Sequence, residues 1–243
     1  MTCARAQQPG LWHGKQRVLR YHPEGSDFVI VNGSRRFNRA LYGTNTAFRV
    51  EAGDLPEFAL YMPGMGGTFR LGLLRGEKSR WLINADSIKA IYRPGSMIYE
   101  IKDGLLGRGR LVVTVLALAD GEGFVLRVKV FGVDARVRLV CAYGGATGKK
   151  FSRDGDIGAD PESSFYLDPE YCRDDRFEIE GNRFLLNYGN GKMINGVFPV
   201  GVKLKVVDAG KQGSPGEFLA STRAERRVRA RRSEGRRSAE ALV

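Results

Sequence analysis

Apolar and polar residues alternate along much of this chain, and the period is two. In Arg127-Val128-Lys129-Val130 and Arg136-Val137-Arg138-Leu139 every second residue is basic. That spacing puts the charges on one face of an extended strand and the aliphatic side chains on the other. The clearest series is a meander of three runs, 110–118, 124–130 and 137–143, broken by Asp120-Gly121-Glu122-Gly123 and by Gly132-Val133-Asp134. Earlier runs at 18–21, 27–31, 57–62, 69–74, 81–83, 88–92 and 97–101 carry the same β-branched and aromatic enrichment. Turn signals separate them: His22-Pro23-Glu24-Gly25, Asn32-Gly33, Pro63-Gly64 and Pro94-Gly95. A hairpin follows at 177–180 and 183–188 around Gly181-Asn182, and a last strand is predicted over 202–207. Many short strands at such spacing predict an all-β fold, a large antiparallel β-sandwich of supersandwich type. No stretch before residue 218 has a helical period.

The vocabulary changes after Glu217. Arg, Ala, Ser and Glu replace Gly and aromatics, and no aromatic follows Phe218. We therefore divide the chain into an N-terminal extension (1–10), a β-sandwich domain (11–217) and a basic, disordered tail (218–243). Of the net charge of +12, residues 221–243 carry +5 through eight Arg and three Glu. An Arg-rich arm of that kind binds RNA in other proteins, so a basic nucleic-acid-binding protein is one alternative. The remaining charge alternates with apolar residues and reads as solvated strand faces, which argues against nucleic acid as the main partner.

The 243 residues are 42% hydrophobic with 32 Gly, enough for a sizeable core and many turns. Cys3, Cys141 and Cys172 form no CxxC, and His13 and His22 are the only histidines. A Cys/His zinc site is therefore not expected, and pairing of Cys141 with Cys172 stays open. No run reaches the ~20 apolar residues of a membrane span. Ala4-Arg5-Ala6 has the form of a signal-peptidase site without an apolar segment before it. The start thus reads as the remnant of a secretory signal.

A long excursion is predicted between about residues 144 and 176. It holds Arg153-Asp154-Gly155-Asp156-Ile157-Gly158-Ala159-Asp160-Pro161-Glu162. Carboxylates this dense repel one another unless something compensates. Arg153, Asp154, Asp156, Asp160 and Glu162 are therefore the main candidates for binding carbohydrate or a cation. Calcium at Asp154, Asp156 and Asp160 is the one cofactor the pattern admits, although the EF-hand spacing fails at Gly158 and Ala159. Ion pairs to Arg153, Arg173 and Arg176, or bonds to sugar hydroxyls, are the other ways to balance the charge. A position at one end of the sandwich is expected.

Other motifs are weaker. Gly144-Gly145-Ala146-Thr147-Gly148-Lys149-Lys150 is one residue short of a phosphate loop and has Lys150 where Ser or Thr would hold magnesium. The glycines of 104–109 lack the dinucleotide spacing and the βαβ context. Glycoside hydrolysis needs two carboxylates across a substrate. Asp54 with Glu57, and Asp160 with Glu162, are pairs of that type, though closeness in sequence does not set their separation. Arg36, Asn38 and Arg39, in Arg35-Arg36-Phe37-Asn38-Arg39-Ala40-Leu41-Tyr42-Gly43, mix planar donors with aromatics as sugar sites do. With Asp54 and Glu57 they form a secondary set of candidates. Ordinary strand ends have the same composition.

Several of these strings, taken in order, resemble one family. They are Asn32-Gly33, Arg36-Phe37-Asn38-Arg39-Ala40-Leu41-Tyr42-Gly43, Gly53-Asp54-Leu55-Pro56-Glu57-Phe58, Met62-Pro63-Gly64-Met65-Gly66-Gly67 and Tyr92-Arg93-Pro94-Gly95-Ser96-Met97. Tyr99-Glu100-Ile101, Tyr143-Gly144-Gly145, the acidic loop and Tyr171-Cys172 continue the likeness. Over roughly 11–209 the chain resembles the domain-of-unknown-function 4450 family. The resemblance implies the N-terminal β-sandwich of large secreted proteins of gut Bacteroidetes, whose remaining chain resembles an (α/α) six-hairpin glycosidase. It supplies no catalytic residues. The expectation is an accessory domain of a glycoside hydrolase-like protein, periplasmic or extracellular, truncated before its helical catalytic barrel, with a glycan as partner. A stand-alone carbohydrate-binding module is the other alternative.

Overall fold

The computed structural model describes residues 19–151, 161–188, 191–221 and 240–242. In chain order the strands are His22–Glu24 (β1), Asp27–Val31 (β2), Arg39–Leu41 (β3), Arg49–Ala52 (β4), Glu57–Tyr61 (β5) and Met65–Arg75 (β6). Lys78–Trp81 (β7), Ser87–Arg93 (β8), Ser96–Lys102 (β9), Arg110–Ala117 (β10), Phe124–Phe131 (β11) and Val137–Ala146 (β12) follow. The last are Arg176–Glu180 (β13), Arg183–Asn187 (β14), Met193–Val197 (β15), Val206–Asp208 (β16) and Glu240–Leu242 (β17). One short helix, α1, spans Pro215–Ala220.

The strands form three antiparallel sheets. Six order as β1-β2-β8-β9-β10-β11; eight as β16-β17-β12-β6-β5-β4-β3, with β7 also on β6; three as β13-β14-β15. The all-β sandwich expected from the alternation is what forms. On β10, Leu111, Val113 and Val115 are buried while Arg110 and Leu116 are exposed. Met97, Tyr99 and Ile101 of β9 face the same core, opposite Phe58, Phe69, Leu71 and Leu73 of β5 and β6. On β11, Val125, Arg127 and Lys129 point to solvent, as the basic alternation requires.

The eight-stranded sheet is covered on its outer face too. Trp81, Val140, Ala142, Val207 and Phe218 form a second apolar cluster there, and Phe37, Ala59, Met65 and Phe165 a third. Consequently β5 and nearly all of β6 are buried on both faces. The cover comes from residues 161–172 and from 206–221.

Several boundaries differ from the sequence reading. His22–Glu24 is a strand, and the turn comes one step later, at Gly25-Ser26, with Gly25 at φ 63°. β12 runs on to Ala146, so the excursion starts later than predicted; two short 3-10 turns, Glu162–Phe165 and Pro169–Cys172, organise its second half. The last predicted strand shrinks to Val206–Asp208. α1 was not expected, yet its start signal is in the sequence. Ser214 caps the Glu217 amide at 3.2 Å and Pro215 opens the first turn. Within the segment read as a disordered tail, Glu240–Leu242 pairs with Tyr143 and with Val206–Asp208. Among the described residues no helix is long and apolar enough to cross a membrane.

Candidate functional site

Of the secondary candidates, Arg36 and Glu57 meet on the outer face of the eight-stranded sheet, whereas Arg39, opposite the core residue Ala52, lies against Tyr92 of the other sheet. Cross-strand register places Glu57 opposite Arg70. Glu57 Oε1 accepts from Arg70 Nε at 2.6 Å and Oε2 from Arg36 Nε at 2.5 Å. Its carboxylate is wholly buried between the two guanidiniums. Arg36 lies 3.5 Å from the Tyr166 ring centroid, and Arg70 donates on to Gln212 Oε1 at 3.0 Å. Arginine suits this place because its planar fork stacks on an aromatic ring while it pairs with a carboxylate.

Asp54 is the second node, equally buried. Oδ1 accepts from Tyr21 Oη at 2.8 Å and from Asn38 Nδ2 at 3.4 Å. Oδ2 accepts from the Arg35 amide at 3.0 Å and from the Arg20 guanidinium. Burial first, then the bond to Asp54, holds the Tyr21 hydroxyl well above its ordinary range, so it stays a donor. Arg39 covers the Tyr21 ring at 4.6 Å. Two glycines make room for this node. A Cβ on Gly33 would sit 2.5 Å from Asp54 Oδ2, and one on Gly53 would sit 2.2 Å from the Arg36 carbonyl. Gly53→Ala should therefore destabilise the fold by about 1–3 kcal/mol, measured by urea titration. An unchanged midpoint would show that the 35–39 strap yields freely.

Glu162 is the one charged residue of the acidic loop among the described residues. Its Oε1 accepts from the Phe37 amide at 2.7 Å and from the Arg36 amide. Glu162 is thus held by the same strap that Asp54 and Glu57 hold. Arg153, Asp154, Asp156 and Asp160, with the calcium site they would form, lie outside the described residues. Among the described residues no three His, Cys, Asp or Glu side chains converge as metal ligands do.

One more buried acid lies on this face. Glu51 is completely covered, and Oε1 is paired with Arg49, whose guanidinium stacks 3.9 Å over the Tyr61 ring. Oε2 has no hydrogen-bond partner among the described residues. Burial raises the Glu51 carboxyl to about 7 against the opposing pull of Arg49. Asp175 is similar. Burial raises it to about 7, while Oδ2 accepts from the Gly145 amide at 2.8 Å.

Beside this polar layer the sheet end opens into a cleft of about 380 Å³ lined by Met65, Thr147, Lys149, Lys150, Phe151, Ser164 and Tyr171. Backbone bonds build its wall: Met65 donates to the Lys149 carbonyl at 2.9 Å, and the Gly148 amide to the Met65 carbonyl at 2.8 Å. Phe151 stacks on Tyr61 at 5.7 Å and on Phe165 at 4.8 Å, which fixes one side. Lys149 Nζ lies 6.0 Å from the Tyr171 ring centroid.

The structure therefore brings Arg36, Asn38, Arg39, Asp54, Glu57 and Glu162 together, and gives each carboxylate protein donors. None of Asp54, Glu57 or Glu51 reaches solvent. Buried carboxylates locked to arginines hold chain segments; they do not exchange protons with a substrate. The two thiols among the described residues are equally inert. Cys141 and Cys172 are free, and burial pushes Cys141 up to about 12 and Cys172 further. The cleft residues were not singled out from sequence as a binding set. The available signal was the basic, Gly-rich string at 144–150, which chemistry ruled out as a phosphate loop.

Compared with known families, residues 62–236 match the model described as Domain of unknown function (DUF4450). The match starts later than the likeness read from the sequence and runs on into the Arg-rich segment. No curated protein and no solved structure matches the chain.

Proposed function

This chain belongs to the DUF4450 family, and from that premise we propose that the domain is a glycan-contacting β-sandwich, not itself catalytic, that serves a secreted glycan-degrading protein. The observation that carries this is the contrast between two neighbouring places. Of the carboxylates that could work as acid and base, Asp54 and Glu57 are sealed under arginines. The open cleft next to them offers aromatic faces and hydroxyls instead. A sugar ring has an apolar C–H face and a rim of hydroxyls, so it needs that mixture.

The proposed partner is an (α/α) six-hairpin domain. Supporting it, Val130, Leu139 and Ile179 pair across their strands with Leu111, Leu73 and Phe184, all core residues. They are nevertheless 58%, 40% and 39% exposed. Positions on an inward face left open suit a neighbouring domain.

Affinity electrophoresis against a panel of soluble plant and host polysaccharides tests the glycan reading. At least one polymer should retard the protein, and Tyr171→Ala should abolish the retardation while lowering stability by no more than about 0.5 kcal/mol. Retardation by none of the polymers, or an undiminished effect in the variant, would remove the cleft from consideration.

A further inference from the structure

We propose that the cleft takes an anionic sugar residue, one bearing a carboxylate or a sulfate ester. This deepens the glycan reading above and rests on it. Two consecutive lysines, Lys149 and Lys150, line the cleft. A third, Lys192, reaches the same wall, its Nζ lying 3.2 Å from the place a Cβ on Gly148 would take. Gly148, just before Lys149, sits at φ 64°, and the missing side chain leaves the Lys192 ammonium room to reach this turn.

Among the described residues the nearby carboxylates are held elsewhere; Asp154, Asp156 and Asp160, which follow Lys150 in the sequence, lie outside those residues. Glu162 faces the Arg36 and Phe37 amides, Asp168 caps the Glu170 amide at 2.8 Å, Glu170 pairs with Arg173 at 2.7 Å, and Asp175 lies under Gly145. Among the described residues no acid forms an ion pair with Lys149, Lys150 or Lys192. Ammonium groups at a cleft attract an anion, which they hold through charge-assisted hydrogen bonds. Thr147, Ser164 and Tyr171 remain for the neutral rim and face of the ring. Lysine suits a ligand whose charged group varies in geometry, since it acts as a point charge and not as a planar fork.

The test uses the full chain and titration calorimetry with oligogalacturonate, its fully methyl-esterified form, dextran and dextran sulfate. The expected result is roughly tenfold or more tighter binding of the charged member of at least one pair, weakening as sodium chloride is raised. The double variant Lys149→Gln/Lys150→Gln should lose that preference and keep its melting midpoint. A control, Arg127→Gln/Lys129→Gln on the exposed face of β11, should keep it. Preference within the galacturonate pair identifies a carboxylate, and preference within the dextran pair a sulfate; either supports the proposal. Equal binding of charged and neutral members, abolished by Tyr171→Ala, overturns the charge preference and leaves the glycan reading standing. No binding of these ligands or of the polysaccharide panel overturns both. Equal loss in the two lysine and arginine variants shows general attraction to a basic protein and overturns the proposal.

Discussion

Glu57→Ala should be the most damaging single substitution on the outer sheet face, lowering stability by roughly 3–5 kcal/mol. The reason is not the loss of an attractive pair as such. Removing the carboxylate leaves Arg36 and Arg70 facing each other beneath Tyr166 and Trp81, with no anion between them. In a chain of this size each kcal/mol moves the thermal midpoint by roughly 2–4 °C, so a fall on the order of 10 °C is expected by calorimetry. Glu57→Gln keeps the shape and removes the charge. It should lose most of the same stability, whereas Glu100→Gln on the half-exposed face of β9 should lose little. A loss below about 1 kcal/mol for Glu57→Ala would mean that the two arginines find water, and that the layer is less closed than its burial indicates.

The second large effect is on pH dependence. Glu51 is raised from 4.5 to about 7 by burial. A raised carboxyl favours the fold when protonated. Its contribution is complete below about pH 4.5 and is lost as pH rises through about 7, after which it changes no further. The size is about 3 kcal/mol at most. Glu51→Gln is neutral at every pH. Urea titrations between pH 4.5 and 8.5 should therefore show the variant close to the parent at the acid end and more stable at the alkaline end. Parallel curves would place the Glu51 carboxyl back in the ordinary range and imply that Oε2 has a donor. Asp175, also near 7, contributes a slope of the same sign, so part of the dependence remains in the variant.

The two effects share an origin that composition did not advertise. Arg49, Glu51, Glu57 and Arg70 lie on strands, and all four are buried. Polar letters at those positions hide β4, because Arg-Val-Glu-Ala looks like a solvent-facing run. β10 and β9 were legible since one face meets water and the alternation is clean. β4 was not, since its polar face is roofed by other parts of the chain. The roof is distant in sequence: Arg36 and Phe37 bind Glu162, and Thr68 donates to the Phe165 carbonyl at 2.5 Å. β3, β7 and β15 were missed for simpler reasons. β3 and β7 have three and four residues, too few for periodicity to register, and Asn195-Gly196 interrupts the apolar run of β15.

The candidate residues divide in the same way. Arg36, Asn38, Arg39, Asp54 and Glu57 were visible as a mixture of donors, aromatics and acids. Their meaning was not, because the same mixture serves a sugar site and a buried ion-pair layer. Distances decide between them. Each acid meets guanidinium or amide donors within the protein and none meets solvent. Lys149, Lys150, Phe151, Ser164 and Tyr171 carry no local motif that marks them as one set.

What the amino-acid sequence determined by itself was the period-two alternation, the turn chemistry and hence the antiparallel sandwich, because strand formation and chain reversal depend on neighbours a few residues away. The close-fitting glycines of Asn32-Gly33 and Gly53-Asp54 were also written there. Only the tertiary structure decided which acids are sealed and which cations line an opening. Charge acquires a function through burial and through partners, and the partners here stand 34 residues apart for Arg20 and Asp54 and 126 apart for Arg36 and Glu162.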